Sequence, residues 1–232
     1  MGTRAHVDAI HYDRAVRLDA GGARPRAGKR TARRHCIIAG TGRAGTSFLV
    51  QLLTRLGLPT GFDEKSLVLF ADARAGLEQR LGDPDAPYIV KSPYIGRDLH
   101  GMIERGEVII DKAYVPMRDL DAAASSRAHV QQIATGRPEK QGPETAGGLW
   151  MVDRPCDQPQ ALVAQLAGLI ESLARHDVPT EFLWYPRLTR DPRYLYRKLA
   201  FLTRNIAYQR FLEVFKRTVK PEWVSQFTPG DL

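Results

Sequence analysis

The stretch Gly40-Thr41-Gly42-Arg43-Ala44-Gly45-Thr46-Ser47 carries the most readable chemistry of the chain. Successive backbone N–H groups that feed a helix N-terminus make a preformed anion site. Glycines at 40, 42 and 45 let the backbone curl and let phosphate oxygens come close. Arg43 adds a cation inside the loop, and Thr46 and Ser47 add hydroxyls. Lys91 and Arg118 each follow an apolar run of their own. Together these residue types suit the grip and polarisation of a phosphorylated nucleotide.

The elements that must position them follow from the spacing of apolar residues. Residues 35–39 form a short apolar run ending in glycines, as a buried strand entering a tight loop does. Phe48, Leu49, Leu52, Leu53 and Leu56 recur at helical spacing from Thr46, and Gly57 with Pro59 stops that helix. Further strands are predicted over 87–90, over 107–110 with 114–115, and over 181–185. Further helices are predicted over 120–133, 160–175, 192–203 and 205–218. The glycine-rich stretch 135–148 reads as a long loop of the kind that often serves as a lid. Strands alternating with helices predict an α/β fold, a parallel sheet with helices on both faces. In such sheets ligands sit beyond the carboxyl ends of the strands. Gly40, Lys91 and Arg118 each follow a strand end, so all three should meet in one crevice.

The net charge of +8 does not point to nucleic acid once it is located. Before His35 stand nine Lys/Arg against three Asp, which accounts for +6 and leaves +2 for the rest. The expected organisation is a basic, flexible leader over 1–34 and a single domain over 35–232. No nucleic-acid partner is expected, and contact of the leader with an anionic surface stays open. No run of eighteen apolar residues predicts a membrane span, and no apolar core of a secretory signal stands at the start. Cys36 and Cys156 are far apart and read as free thiols in a reducing, cytosolic setting. No HExxH or CxxC spacing is present, and His100, His129 and His176 have no partner spacing, so no metal is expected. Trp150 and Trp184 read as core or loop anchors.

The loop differs from the phosphoryl-transfer pattern GxxxxGK[ST] in one telling place. Thr46 stands where the Lys should be, and that Lys holds the β- and γ-phosphates in kinases and NTPases. Gly42-Arg-Ala-Gly-Thr-Ser47 instead resembles the (K/R)-S-G-T-(T/S) loop of the PAPS-dependent sulfotransferase family, where PAPS is 3′-phosphoadenosine 5′-phosphosulfate. Three later segments are similar to that family in the expected order. Val115-Pro-Met-Arg-Asp-Leu-Asp-Ala-Ala-Ala-Ser-Ser126 resembles its 3′-phosphate motif, an Arg after a strand with a Ser eight residues on. Val90-Lys-Ser-Pro93 resembles the K-(S/T)-P strand end of many bacterial members. Tyr185-Pro-Arg-Leu-Thr-Arg-Asp-Pro192 resembles the late Y-x-x-L-x-x-D-P segment. The resemblance spans about residues 35 to 203.

What the resemblance implies is a P-loop fold of the nucleoside-triphosphate-hydrolase type and sulfuryl transfer from PAPS, without a metal. The acceptor would be a hydroxyl or amine on a carbohydrate, lipid, peptide or natural product. Gly42, Arg43, Ala44, Gly45, Thr46 and Ser47 would hold the 5′-phosphosulfate, with Phe48 against adenine or in the core. Arg118 and Ser126 would hold the 3′-phosphate, with Ser125 as the alternative to Ser126. Lys91 and Arg43 would stabilise charge on the transferring group. The small-molecule branch of the family has a catalytic His where this chain has Pro93, and its glycine-rich C-terminal cofactor segment is not recognisable here. The branch that sulfates protein tyrosines has a base Glu about twenty residues past the loop Arg. Glu64 falls there and is the candidate base, with Asp63 behind it; an exposed carboxylate at a helix start is the competing account. Two other functions stay open: a P-loop nucleotide kinase or NTPase, and a non-catalytic nucleotide-binding protein. The acceptor pocket is expected within 62–86 and 134–158. The sequence does not give the oligomeric state.

Overall fold

Apolar side chains alternate between two faces along each central strand, so the sheet must be covered on both sides. The computed structural model, which describes residues 32–71, 73–93, 95–140 and 145–224, shows that arrangement. In chain order the elements are β1 (Arg33–Ile38), α1 (Thr46–Arg55), β2 (Ile89–Lys91), α2 (Leu99–Glu104), β3 (Val108–Met117), α3 (Leu120–Thr135), α4 (Gln158–Arg175), β4 (Thr180–Trp184), α5 (Arg187–Arg190), α6 (Pro192–Lys198), α7 (Ala200–Thr203) and α8 (Tyr208–Thr218). The four strands are parallel in the order β2-β1-β3-β4. Ile37, Ala39, Val90, Ala113 and Val115 face Leu99 of α2 and Leu169 and Leu173 of α4. Cys36, Ile38, Ile89, Tyr114 and Leu183 face α1, α6 and α8 through Leu49, Leu52, Leu53, Leu195 and Phe211. A side chain buried as fully as Phe211 contributes about 1.5–3 kcal/mol. The expected α/β architecture, with helices on both faces, is therefore present.

The differences from expectation have local causes. The two apolar runs at 107–110 and 114–115 are, as expected, one strand, β3, and what the spacing did not show is the β-bulge that interrupts it. Ile110 pairs with His35 but Lys112 pairs with Cys36, leaving Asp111 extra. Asp111 is used: its carboxylate accepts from Arg34 and, at 2.9 Å, from the Tyr88 hydroxyl. The helix expected over 192–203 is two. Asp191 caps α6 by accepting from the Tyr194 N–H at 2.9 Å, and α6 ends at Lys198 before α7 begins. Helices α2 and α5 are too short to give a periodic signal. Arg33 and Arg34, grouped with the basic leader by composition, open β1. Residues 1–31 of the predicted leader lie outside the described residues. Among the described residues no helix is long and apolar enough to cross a membrane. Cys36 and Cys156 are both free thiols.

The topology sets where a ligand can sit. β1 feeds α1 on one face of the sheet, whereas β3 leads through α3 to α4 on the other. That reversal opens a crevice beyond the carboxyl ends of β1 and β3. Ile38 pairs with both Lys91 and Tyr114, and Met117 pairs with Trp184. The loop at Gly40, the residues after Lys91 and Arg118 therefore leave the sheet at one edge.

Candidate functional site

The β1–α1 loop takes a shape that L side chains rarely adopt. Gly42, Arg43 and Gly45 have φ of 73°, 54° and 84°. Gly42 has a second reason to be glycine. A Cβ there would stand 2.7 Å from Arg127 Nη2, and that guanidinium is tied down on both sides. It donates to the Thr41 carbonyl at 2.6 Å and to the Gly148 carbonyl at 2.7 Å. A Cβ on Gly45 would meet Leu188 Cδ1 at 3.0 Å and Tyr185 Cδ2 at 3.3 Å. The left-handed φ of Arg43 costs about 1–2 kcal/mol, a strain of the kind that clusters at functional sites.

Helix α1 starts at Thr46 with neither a side-chain cap nor an acidic residue in its first turn. Its leading N–H groups and the positive end of its dipole therefore meet the loop uncompensated from within the helix. Thr46 and Ser47 are buried, and Ala44 is fully so. The Arg43 side chain folds back over the crevice. Its Nε donates to Ser126 Oγ at 3.1 Å and a terminal nitrogen donates to the Ala73 carbonyl. Burial, followed by the charge of Arg118, pushes its guanidinium down to about 10.

Lys91, the last residue of β2, has 2% of its surface exposed, which for a lysine requires partners. Its Nζ donates to the Gly76 carbonyl at 2.8 Å and pairs with a Glu78 carboxylate oxygen. The same Gly76 carbonyl accepts from Ser47 Oγ at 3.1 Å, so lysine and loop serine share one acceptor. Burial holds the Lys91 ammonium below its ordinary value; Glu78 opposes that, and Arg127 and Arg43 add to it. Residues 76–79 run beside β2, where the Gln79 N–H donates to the Lys91 carbonyl at 2.9 Å. Sequence reasoning missed Glu78. Its readable sign was Gly76, whose φ of 136° turns this segment back toward the loop.

Arg118 is buried and reaches the loop itself, donating to the Arg43 carbonyl at 3.4 Å. Its guanidinium carbon lies 5.0 Å from the centre of the Tyr185 ring. Burial lowers its affinity for the proton, while Tyr185 and Asp119 act the other way. Ser126 is fully buried beside Arg43, whereas Ser125 donates to the Asp121 carbonyl within α3. Arg43, Lys91, Arg118 and Ser126 are thus brought together. Arg127, also missed in the sequence, joins them from the inward face of α3.

The loop expected over 135–148 returns to this place. Residues 141–144 lie outside the described residues. Its end is fixed by Arg127 at the Gly148 carbonyl and by Gln131 Oε1, which accepts from the Leu149 N–H at 3.3 Å. Gln158 clamps Trp150 from both sides, accepting from its N–H at 2.6 Å and donating to its carbonyl at 3.2 Å. From the other side of the crevice, Gln165 of α4 donates to the Gly40 carbonyl at 3.2 Å and the Pro93 carbonyl at 2.8 Å. One side chain therefore sets the exits of β1 and β2 against each other.

Glu64 is not brought to the crevice. It pairs with Arg55 at 2.9 Å, at the opposite end of the ten-residue α1, about 14 Å along the helix from the loop. Its carboxylate is exposed, and the Arg55 hydrogen bonds hold it below the usual range. Asp63 is likewise exposed and bound to Ser66. Phe48 packs edge-to-face on Phe215 at 5.7 Å, against the main core. Trp150 is buried as an anchor, but Trp184 is half exposed because β4 is the last strand of the sheet. His100 and His176, 76 residues apart, are hydrogen-bonded to each other at 2.8 Å. When the whole chain is compared with family models, curated proteins and solved structures, nothing matches.

Proposed function

We propose that the chain is a P-loop-type sulfotransferase that moves a sulfuryl group from PAPS to a hydroxyl or amine. The observation that carries the reading is the convergence of Arg43, Lys91, Arg118 and Ser126 on a loop that lacks the phosphoryl-transfer lysine. A cluster of buried cations around an uncapped helix start fits a ligand with anionic groups at more than one point. PAPS, when bound, supplies the activated sulfuryl group. Arg43 and the first N–H groups of α1 would hold its 5′ end, and Arg118 with Ser126 its 3′-phosphate. Lys91 would offset the charge that grows on the leaving phosphate oxygen. The carboxylate nearest that lysine is Glu78, not Glu64, and Glu78 takes the base role in this reading by accepting the acceptor's proton.

Lys91 beside Ser47 also supports a nucleotide kinase that takes its lysine from β2, and a ligand comparison separates the two. Adenosine 3′,5′-bisphosphate is expected to raise the melting temperature by about 5 °C at a hundredfold excess over its Kd. ADP with magnesium is expected to leave it unchanged. The reverse pattern would sink the sulfotransferase reading.

The two carboxylates are separable in the same way. Against a panel of hydroxyl and amine acceptors, Glu78→Gln should cut PAPS turnover by about 100-fold or more. Its bisphosphate affinity should stay within about threefold of the parent. Glu64→Gln should leave both unchanged. Loss of turnover in Glu64→Gln with Glu78→Gln intact would restore the assignment expected from sequence.

A further inference from the structure

Away from the crevice, two helices bring together three side chains that the proposed transfer does not use. His100 stands in the first turn of α2 and Glu104 at its last position, four residues on and so on the same face. His176 is the C-terminal cap of α4, which packs against α2. His100 Nδ1 and His176 Nε2 are 2.8 Å apart, and His176 Nδ1 lies 3.8 Å from Glu104 Oε1. One ligand atom from each of the three lies within 4.8 Å of the others. The His176 side chain is only 12% exposed, so its ring has little freedom, while His100 and Glu104 reach it from the solvent side.

We propose that His100, Glu104 and His176 form a divalent metal site of the zinc class, closed by water, that ties α2 to the end of α4. Two imidazole nitrogens within hydrogen-bonding distance need something between them: a shared proton or a metal ion. A carboxylate close to the rings supplies the negative charge that a divalent cation needs. Two imidazoles and one carboxylate suit zinc and its borderline neighbours rather than magnesium or calcium, which prefer all-oxygen shells. With bonds of 2.0–2.1 Å, tetrahedral ligands stand about 3.3 Å apart. Where His100 Nδ1 and His176 Nε2 are the ligating nitrogens, the rings need part by about 0.5 Å. The Glu104 carboxylate, beside His176 Nδ1, must swing toward them from within 4.8 Å, and the exposed His100 and Glu104 allow both movements. Three protein ligands leave a position for water, so the ion binds reversibly. The site stands apart from whatever the crevice holds. His176 lies eleven residues past Gln165, about 16 Å along α4. The ion therefore acts on the packing of α2 against α4 rather than on the reacting groups.

The test is a titration of zinc chloride into the full chain, freed of any affinity tag and treated with chelator. One equivalent should bind, with a rise in melting temperature of about 5–10 °C at a hundredfold excess over Kd. Cobalt(II) in its place should give the intense visible bands of a tetrahedral centre. His100→Ala with His176→Ala should abolish both signals, and Glu104→Gln should weaken binding by about tenfold. His129→Ala, a histidine outside the cluster, should change nothing. His100 is exposed but His176 is largely covered, so the melting temperature of each variant in chelator is measured beside the parent's. Any variant that melts early in chelator is replaced by His100→Asn, for which loss of zinc is again expected. Zinc binding that survives in the double variant, or the absence of a bound equivalent in the parent, overturns the proposal.

Discussion

Lys91→Met is expected to cut sulfuryl turnover by about 100- to 1000-fold while the ligand-free protein melts at the same temperature or higher. The two halves of this result have one cause. Lys91 is buried to 2% exposure, and its ammonium is held by a carbonyl and by Glu78. Stripping water from a charge is costly, and an apolar side chain of similar length often replaces a buried ion at no loss. Glu78 keeps a third of its side-chain surface exposed, so water can replace its lysine when the lysine is gone. Function loses what stability does not need, because a methionine cannot offset charge on a leaving oxygen. Calorimetry across pH gives a second readout. The folded ammonium titrates below the ordinary 10.5, so the parent should gain stability as pH rises through the depressed value toward 10.5. Lys91→Met should lack that gain. A variant that keeps full turnover, or that melts many degrees early, would remove Lys91 from the proposed chemistry.

Arg118→Ala should weaken adenosine 3′,5′-bisphosphate by about 100-fold and AMP by about threefold or less. Arg118 leaves β3 at the sheet edge, lies against the Tyr185 ring and meets the loop at the Arg43 carbonyl. It is therefore placed beside the loop rather than within it, where the second phosphate of a nucleotide would fall. Arg118→Lys tests the fork itself: it keeps the charge but loses the planar pair of donors, and an intermediate loss of about tenfold is expected. Isothermal titration at fixed salt reads all three affinities. Equal losses for bisphosphate and AMP would mean that Arg118 supports the loop and reads no 3′ group.

The strand, the glycine loop and the helix that follows were legible because each has a local cause: an apolar run, three glycines, and leucines at helical spacing. The meeting of Lys91 and Arg118 was legible too, because parallel strands end at one edge whatever lies between them. Glu78 was not. It reaches Lys91 through an irregular segment held by backbone hydrogen bonds to β2, and such bonds leave no mark on side-chain type. Glu64 shows the opposite hazard. Counting residues from the loop ignores that α1 carries the chain about 14 Å away before it turns. The pairing of His100 with His176 depends on how α2 packs against α4, a tertiary relation that no spacing encodes.

Arg43 has a consequence of its own. Its guanidinium is held by a serine hydroxyl and a backbone carbonyl, both of them neutral, on a backbone bent to present it. Such a charge is positioned without being cancelled. In a salt solution it would draw small anions from the medium as counter-ions. In the proposed reading a nucleotide would enter by displacing them, and its affinity would belong to that exchange. Sulfate or phosphate in the buffer will compete for the loop more strongly than chloride, because each brings more charge and more acceptor oxygens to the same donors. In the proposed reading, selectivity for a nucleotide over those ions would come from a part that a small anion in the loop cannot reach at the same time, at Arg118.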